Sequence, residues 1–380
     1  MADKKRKIRA EFRKNRTQRA RSDDWTRRFR GTEADRDEST DEAPNKERIS
    51  GKGELSRKRT VLGEAVEGDA DLGVLLDVDL ATVRRGRVLS VHGLTSTVEA
   101  EDGTLFACAT RRLLKTLSTS QRHVVAAGDF VLFRPVDGQE GMIERVEPRR
   151  AVLARAIRGR QHIIVTNIDQ LIIVSSAAEP YLKPNLIDRF LISAHQSGLR
   201  PVICINKIDL VDPTSLAPLV GVYSQMGYQV LMLSATTGFG IDRLRRLMAG
   251  NTSAVAGQSG VGKSSLLNAV DPRLQLRTSA VSEETQKGRH TTTTARLLPL
   301  SSGGYVVDTP GIRQFQLWDV IPAEVAAYYR DLRPYINHCK YPNCTHTHET
   351  DCAVKDAVAD GRLDLRRYDS YCHLFAGEME

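Results

Sequence analysis

The sequence predicts a multidomain chain with three folded parts: a small N-terminal β-barrel, a circularly permuted α/β domain, and a helical C-terminal domain organised by a metal. Three observations predict it. Asn206-Lys207-Ile208-Asp209 comes before the phosphate loop Gly257-Gln258-Ser259-Gly260-Val261-Gly262-Lys263-Ser264, whereas ordinary nucleotide switches place that loop first. Five short alternating segments separated by glycine turns fill 87–146, and three of the six cysteines crowd at 339, 344 and 352. The expected layout is a tail over 1–80, the barrel over 81–150, the permuted domain over 151–318 and the metal-binding domain over 319–380.

A chain of 380 residues, 41% of them hydrophobic, is long enough for two or three domains with buried cores. No apolar run approaches a membrane span, and the N-terminus is too charged for a signal peptide, so a cytoplasmic protein without a membrane partner is expected. Residues 1–30 hold thirteen Lys/Arg against four Asp/Glu, a surplus of nine that exceeds the net charge of +8 of the whole chain. Everything after residue 30 is therefore about neutral. From Gly31 to about Ala70 the chain is polar, rich in Asp and Glu and almost free of aromatics, the composition of a disordered linker. The basic tail reads either as a solvated arm or as an electrostatic tether to RNA phosphates.

The barrel is predicted from Arg87–Val91, Thr95–Glu99, Thr104–Cys108, Asp129–Phe133 and Gly141–Val146. Five strands of this size suit an OB-fold, which binds RNA on one face and its loops. Arg84, Arg85, Arg87, Arg111, Arg112 and Lys115 are candidate phosphate contacts, or the charged surface of an ordinary solvated barrel.

In the α/β part, Ser253–Ala256 is a short run of small residues fit for a buried strand, and Ser264-Ser265-Leu266-Leu267-Asn268-Ala269-Val270 has helical spacing. Strand, loop and helix are the context a phosphate loop requires. Its glycines let backbone amides turn inward around a diphosphate, Lys263 reaches the outer phosphates, and the Ser264 hydroxyl can ligate Mg²⁺. A second buried strand, Pro201–Ile205, ends in Asn206, Lys207, Ile208 and Asp209, at the edge where open α/β sheets bind ligands. A carboxylate at Asp209 can accept from guanine N1–H and its exocyclic amine, a donor pair that adenine lacks, while Lys207 packs along the base and Asn206 ties loops together. The strand Gln229–Leu233 leads to Ser234-Ala235-Thr236, which resembles the loop whose backbone meets the base oxygen.

Downstream, the strand Gly304–Val307 runs into Asp308-Thr309-Pro310-Gly311, where Asp308 is placed to hold Mg²⁺ through water and the Gly311 amide to sense the γ-phosphate. The run Gly288-Arg289-His290-Thr291-Thr292-Thr293-Thr294 supplies a hydroxyl to close over Mg²⁺, with Thr292 as candidate, unless it is a merely exposed polar loop. Ordinary switches often carry glutamine after the Asp-x-x-Gly glycine to orient water. Ile312 stands here, and His290 is the nearest polar residue that can take that role, with a bystander histidine as the alternative.

After Trp318 come Cys339, Cys344, His346 and Cys352, with His338, His348 and Cys372 close by. Three thiolates and one imidazole make a closed tetrahedral set for a structural Zn²⁺.

This assembly of motifs resembles the circularly permuted GTPases that mature the small ribosomal subunit, the RsgA (YjeQ) family. The likeness also includes Thr166-Asn167-Ile168-Asp169-Gln170, Leu186-Ile187-Asp188-Arg189-Phe190-Leu191, Gly257–Ser265, Gly288–Thr293 and Gly311–Trp318, and covers roughly 85–375. Gln314 and Gln316 stand where the family usually has Glu and Gly. The resemblance implies GTP hydrolysis to GDP and phosphate, stimulated by the 30S subunit, with 16S rRNA as partner and a monomeric protein. It implies a histidine at the place of His290 in turnover and favours His346 over His338 and His348 as the zinc ligand. The permutation also makes the second switch run through Arg313–Trp318 straight into the zinc domain. A non-catalytic RNA-binding module that holds GTP as a structural ligand is the competing expectation.

Overall fold

The computed structural model describes residues 7–11, 58–65, 74–111, 114, 124–157, 160–278, 295–308 and 322–377. They form two compact units, one up to Asn167 together with 295–296, the other from Ile168 onward.

In the first unit, β1 (Lys7–Glu11), β2 (Lys58–Ala65) and β3 (Val74–Leu76) make a three-stranded antiparallel sheet. All three strands fall in the 1–80 stretch read as tail, and the third brings buried Leu76 into the barrel core. The barrel is built from β4 (Arg84–His92), β5 (Thr95–Ala100), β6 (Leu105–Thr110), β7 (Phe130–Asp137) and β8 (Glu140–Val146). Their order is β4-β5-β6-β8-β7, closed by β4 pairing with β7, and only β6 and β8 run parallel. Alternation along the strands sends Val88, Val98, Phe106, Val131, Phe133 and Ile143 inward, each contributing roughly 1.5–3 kcal/mol when fully buried. Gly86 is required on that inner face, because a Cβ there would lie 2.6 Å from Val98 and 2.9 Å from Phe133. A hairpin, β9 (Val152–Ile157) with β10 (Arg160–Thr166), belongs to this unit, so its last residue is Asn167 rather than the 150 expected for the barrel.

The second unit carries a six-stranded run of sheet. Its elements are β11 (Gln170–Ser176), α1 (Pro184–Gln196), β12 (Arg200–Asn206), α2 (Ala217–Gln225), β13 (Gln229–Met232), α3 (Ile241–Met248), β14 (Thr252–Ala256), α4 (Lys263–Val270), β15 (Arg296–Pro299) and β16 (Tyr305–Asp308). The order is β13-β12-β11-β14-β16-β15, and all pairings among β11, β12, β13, β14 and β16 are parallel. Strands covered on both faces read as continuous apolar runs, and β11 and β14 are buried at every position.

Short helices α5 (Val325–Tyr328), α6 (Arg333–Ile336), α7 (Ala353–Ala359) and α8 (Leu365–Phe375) complete this unit. Their core of Val325, Tyr329, Leu332, Val354 and Tyr371 includes Ile192 of α1. A buried charge network fastens α8 to α1. Arg367 donates to Asp331 at 2.8 and 3.0 Å and pairs with Asp188, whose carboxylate also accepts from the Tyr223 hydroxyl at 2.8 Å. The C-terminal segment thus shares a core with the α/β domain instead of standing apart over 319–380. The direct passage from second switch to this segment, 309–321, lies outside the described residues. No helix among the described residues is long and apolar enough to cross a membrane.

Candidate functional site

Parallel pairing aligns the carboxyl ends of the strands. Ser176 stands opposite Asn206, Ile173 opposite Ala256, and Ala254 opposite Val307, so the chain leaves β11, β12, β14 and β16 along one edge. The phosphate loop leaves β14 there. Gly257 (φ 146°) and Gly262 (φ 91°) occupy backbone conformations closed to other residues, and a side chain at the first would collide with the Val174 carbonyl, one at the second with the Asn206 amide. The Lys263 ammonium arches over the loop, 2.9 Å from the Gly257 carbonyl and 2.7 Å from that of Gln258. Gln258, Ser259, Gly260, Ser264 and Ser265 line the turn and the first residues of α4, and Val261 is buried beneath them. Amides at the start of a helix favour anions, which suits phosphates at this point.

Asn206 is 1% exposed and joins three loops. Its amide donates to the Val261 carbonyl at 2.9 Å and its oxygen accepts from the Ala235 amide at 3.3 Å. One side chain therefore fixes the phosphate loop against the Ser234-Ala235 loop. Leaving such a buried group unpaired costs about 1–3 kcal/mol. Ser234, fully buried, shapes its own loop by accepting from the Thr237 amide at 3.0 Å. Ile208 is buried, whereas Asp209 is exposed in a short 3₁₀ turn over Ile208–Leu210. Its carboxylate has no protein partner among the described residues, which leaves both oxygens available to a donor pair.

Lys207 adopts a left-handed backbone (φ 64°) and donates its ammonium to the Glu179 carbonyl at 2.5 Å. The Glu179-Pro180 turn that receives it also approaches the phosphate loop, Pro180 lying 3.7 Å from where a Cβ on Gly260 would stand. Sequence reasoning missed this wall. Its only signal was the proline, since a backbone carbonyl carries no residue signature. The backbone of Asp308 ends β16 at the same edge. His290, Thr292 and Gly311 lie outside the described residues.

The cysteine cluster is the second site. Ligand atoms of Cys339, Cys344, His346 and Cys352 lie within 4.8 Å of one another. Cys339 Sγ is 3.7 Å from Cys352 Sγ, close to the ~3.8 Å that tetrahedral Zn–S bonds of 2.3 Å imply. His346 Nδ1 faces the sulfurs at 3.3 and 3.5 Å. His338, His348 and Cys372 are not in the cluster. The loop is braced from outside by the Tyr371 hydroxyl on the Thr345 carbonyl at 2.6 Å and the Tyr368 hydroxyl on the His346 carbonyl at 2.8 Å. The donor set fits one zinc and leaves no open position. Elsewhere, burial pushes the thiols of Cys108 and Cys204 up to about 12, which disfavours their thiolate forms.

The barrel arginines are committed within their own unit. Arg84 pairs with Asp102 at 2.5 Å, Arg85 with Glu147 at 2.9 Å and Arg111 with Glu144 at 3.0 Å, while Arg87 donates to the Asn167 carbonyl. Arg112 and Lys115 lie outside the described residues.

Comparison with known proteins agrees with this geometry. The family described as RsgA GTPase matches residues 146–318. A small ribosomal subunit biogenesis GTPase RsgA of Sodalis glossinidius is 39% identical over 305 residues, 79% of this chain and 87% of the relative. The protein of that name from Chromohalobacter salexigens is 40% identical over 306 residues, again 79% and 87%. Among solved structures, YjeQ from Thermotoga maritima superposes with a TM-score of 0.64 at 36% identity, over 78% of this chain and 98% of the other. YloQ, described as a circularly permuted GTPase, gives 0.62 at 28% identity, over 79% and 97%.

Proposed function

The chain belongs to the RsgA GTPase family, and we propose that it hydrolyses GTP in the biogenesis of the small ribosomal subunit, binding the 30S particle through its rRNA as a monomer in the cytoplasm. The observation that carries this reading is the buried Asn206 side chain, which locks the base-reading turn to the phosphate loop in the permuted order.

In this reading Asp209 accepts from guanine, the Ala235 amide meets the base oxygen, and Lys207 lies along the base. The amides of Gly257–Ser265 and the Lys263 ammonium hold the β- and γ-phosphates. The magnesium ion that accompanies the nucleotide neutralises charge on those phosphates, and Ser264, Thr292 and Asp308 are the residues that would hold it. Water attacks the γ-phosphorus as the bond to the β–γ bridging oxygen breaks, releasing GDP and inorganic phosphate. With Ile312 where a glutamine commonly stands, His290 orients that water, and Gly311 senses the γ-phosphate. Zinc on Cys339, Cys344, His346 and Cys352 is structural.

Turnover of GTP with and without purified small subunits tests the proposal. Stimulation by the particle is expected. Tight GTP binding without turnover in either condition would make GTP a structural ligand instead.

A further inference from the structure

The α3 helix and the turn after α4 carry a concentration of charge that the nucleotide site does not use. Between 241 and 278 there are six Lys/Arg and two Asp/Glu, in a chain that is about neutral beyond residue 30, and of the six only Lys263 belongs to the phosphate loop. Arg243 and Arg246 sit one turn apart on the solvent side of α3, whose buried residues are Ile241, Leu244 and Met248. Both are exposed, and neither has a protein partner among the described residues. Arg245 reaches across to the last turn of α4, donating to the Val270 carbonyl at 2.9 Å and that of Ala269 at 3.2 Å. Just beyond that turn stand Arg273 and Arg277, also exposed.

The two acids of the segment are already engaged. Asp242 pairs with Arg245, and Asp271 accepts from Arg273 at 3.3 Å and from the Ser301 amide at 2.6 Å. Among the described residues, Arg243, Arg246 and Arg277 are left uncompensated. The surface is also held in place: Leu247, Leu274 and Leu276 pack against the α/β core, and Asn268 exchanges two hydrogen bonds of 2.8 Å with the backbone of Leu276. A preorganised surface loses less entropy when it binds.

We propose that this arginine surface is an RNA-docking site that grips phosphates of the small-subunit rRNA, an inference that rests on the function proposed above. Every charge in it is arginine, whose planar fork matches phosphate oxygens in pairs and is less strongly hydrated than an ammonium. Charge complementarity selects a polyanion. The arginines recognise phosphates without reading sequence, so they strengthen attachment and its dependence on salt.

The test compares the wild-type protein, Arg243→Gln/Arg246→Gln and the charge-reversed Arg243→Glu/Arg246→Glu for binding to small subunits and to protein-free small-subunit rRNA across a series of salt concentrations. The double Gln variant should bind both partners on the order of tenfold more weakly at low salt. Its slope of log affinity against log salt should be shallower by about one for each lost contact, and charge reversal should weaken binding further. Both side chains are exposed and lie outside the nucleotide site, so GTP turnover without particles should match wild type and report an intact fold. Unchanged affinity and slope on both partners would make the surface a solvated face and overturn the inference while the proposed function stands. Weakened binding to particles but not to bare rRNA would assign the surface to an acidic protein, which also overturns it. A wild-type chain that binds neither would remove the proposed function and this inference with it.

Discussion

Asp209 and Asn206 stand three residues apart and face opposite tasks. Asn206 is buried and spent on protein loops, while Asp209 is exposed and has no protein partner among the described residues. Replacing Asp209 with Asn exchanges an acceptor for a donor facing the base, so GTP should bind a few kcal/mol more weakly and xanthosine triphosphate should gain. Competition between the two nucleotides measures it, and an unchanged preference for GTP would remove Asp209 from the base site. These residues were legible because ligand chemistry dictates their types. The Lys207 contact with Glu179 was not, because the acceptor is a main-chain oxygen that any residue supplies. For the barrel arginines, charge was plain in sequence, but their pairing with Asp102, Glu147 and Glu144 depends on strands brought together only by the fold.

At the scale of elements, parallel strands announce themselves as apolar runs and the barrel as alternation, and both readings match the structure to within a few residues. Strands β1 and β2 escaped, since β1 lies in a strongly basic stretch and its pairing with β2 joins residues about fifty apart in the chain. The α1–α8 clamp was equally hidden, because nothing in the separate sequence positions of Asp188, Asp331 and Arg367 shows that they meet. Arg367→Met should leave the buried Asp188 carboxylate and the partly buried Asp331 without their cation and destabilise the second unit by about 3–5 kcal/mol in chemical denaturation. A loss under ~1 kcal/mol would show that the network adds little. The cysteine cluster leads to a separate expectation. Few apolar residues organise 339–352, so a chelator or Cys344→Ser should increase amide exchange in this loop while GTP affinity persists, and metal analysis should find one zinc per chain. Protein purified without chelators and lacking zinc would contradict this.

Over the whole molecule, the permutation was visible because motif order survives in any linear sequence. The sharing of one core by α1 and the C-terminal helices was not visible, because it depends on which faces meet. Ile192 is an ordinary core position of α1 until Tyr329 and Tyr371 are found in the same cluster. The cysteine-bearing segment therefore belongs to the same compact body as the phosphate loop. The proposed activity is GTP hydrolysis by this body on the small subunit, with water oriented by His290. Its most direct test is particle-stimulated turnover of wild type, His290→Ala and Lys263→Ala, with GTP affinity measured alongside. His290→Ala should keep GTP affinity within about threefold yet lose roughly 10²-fold in stimulated turnover, whereas Lys263→Ala should lose binding as well. Normal hydrolysis by His290→Ala on small subunits would contradict the mechanism.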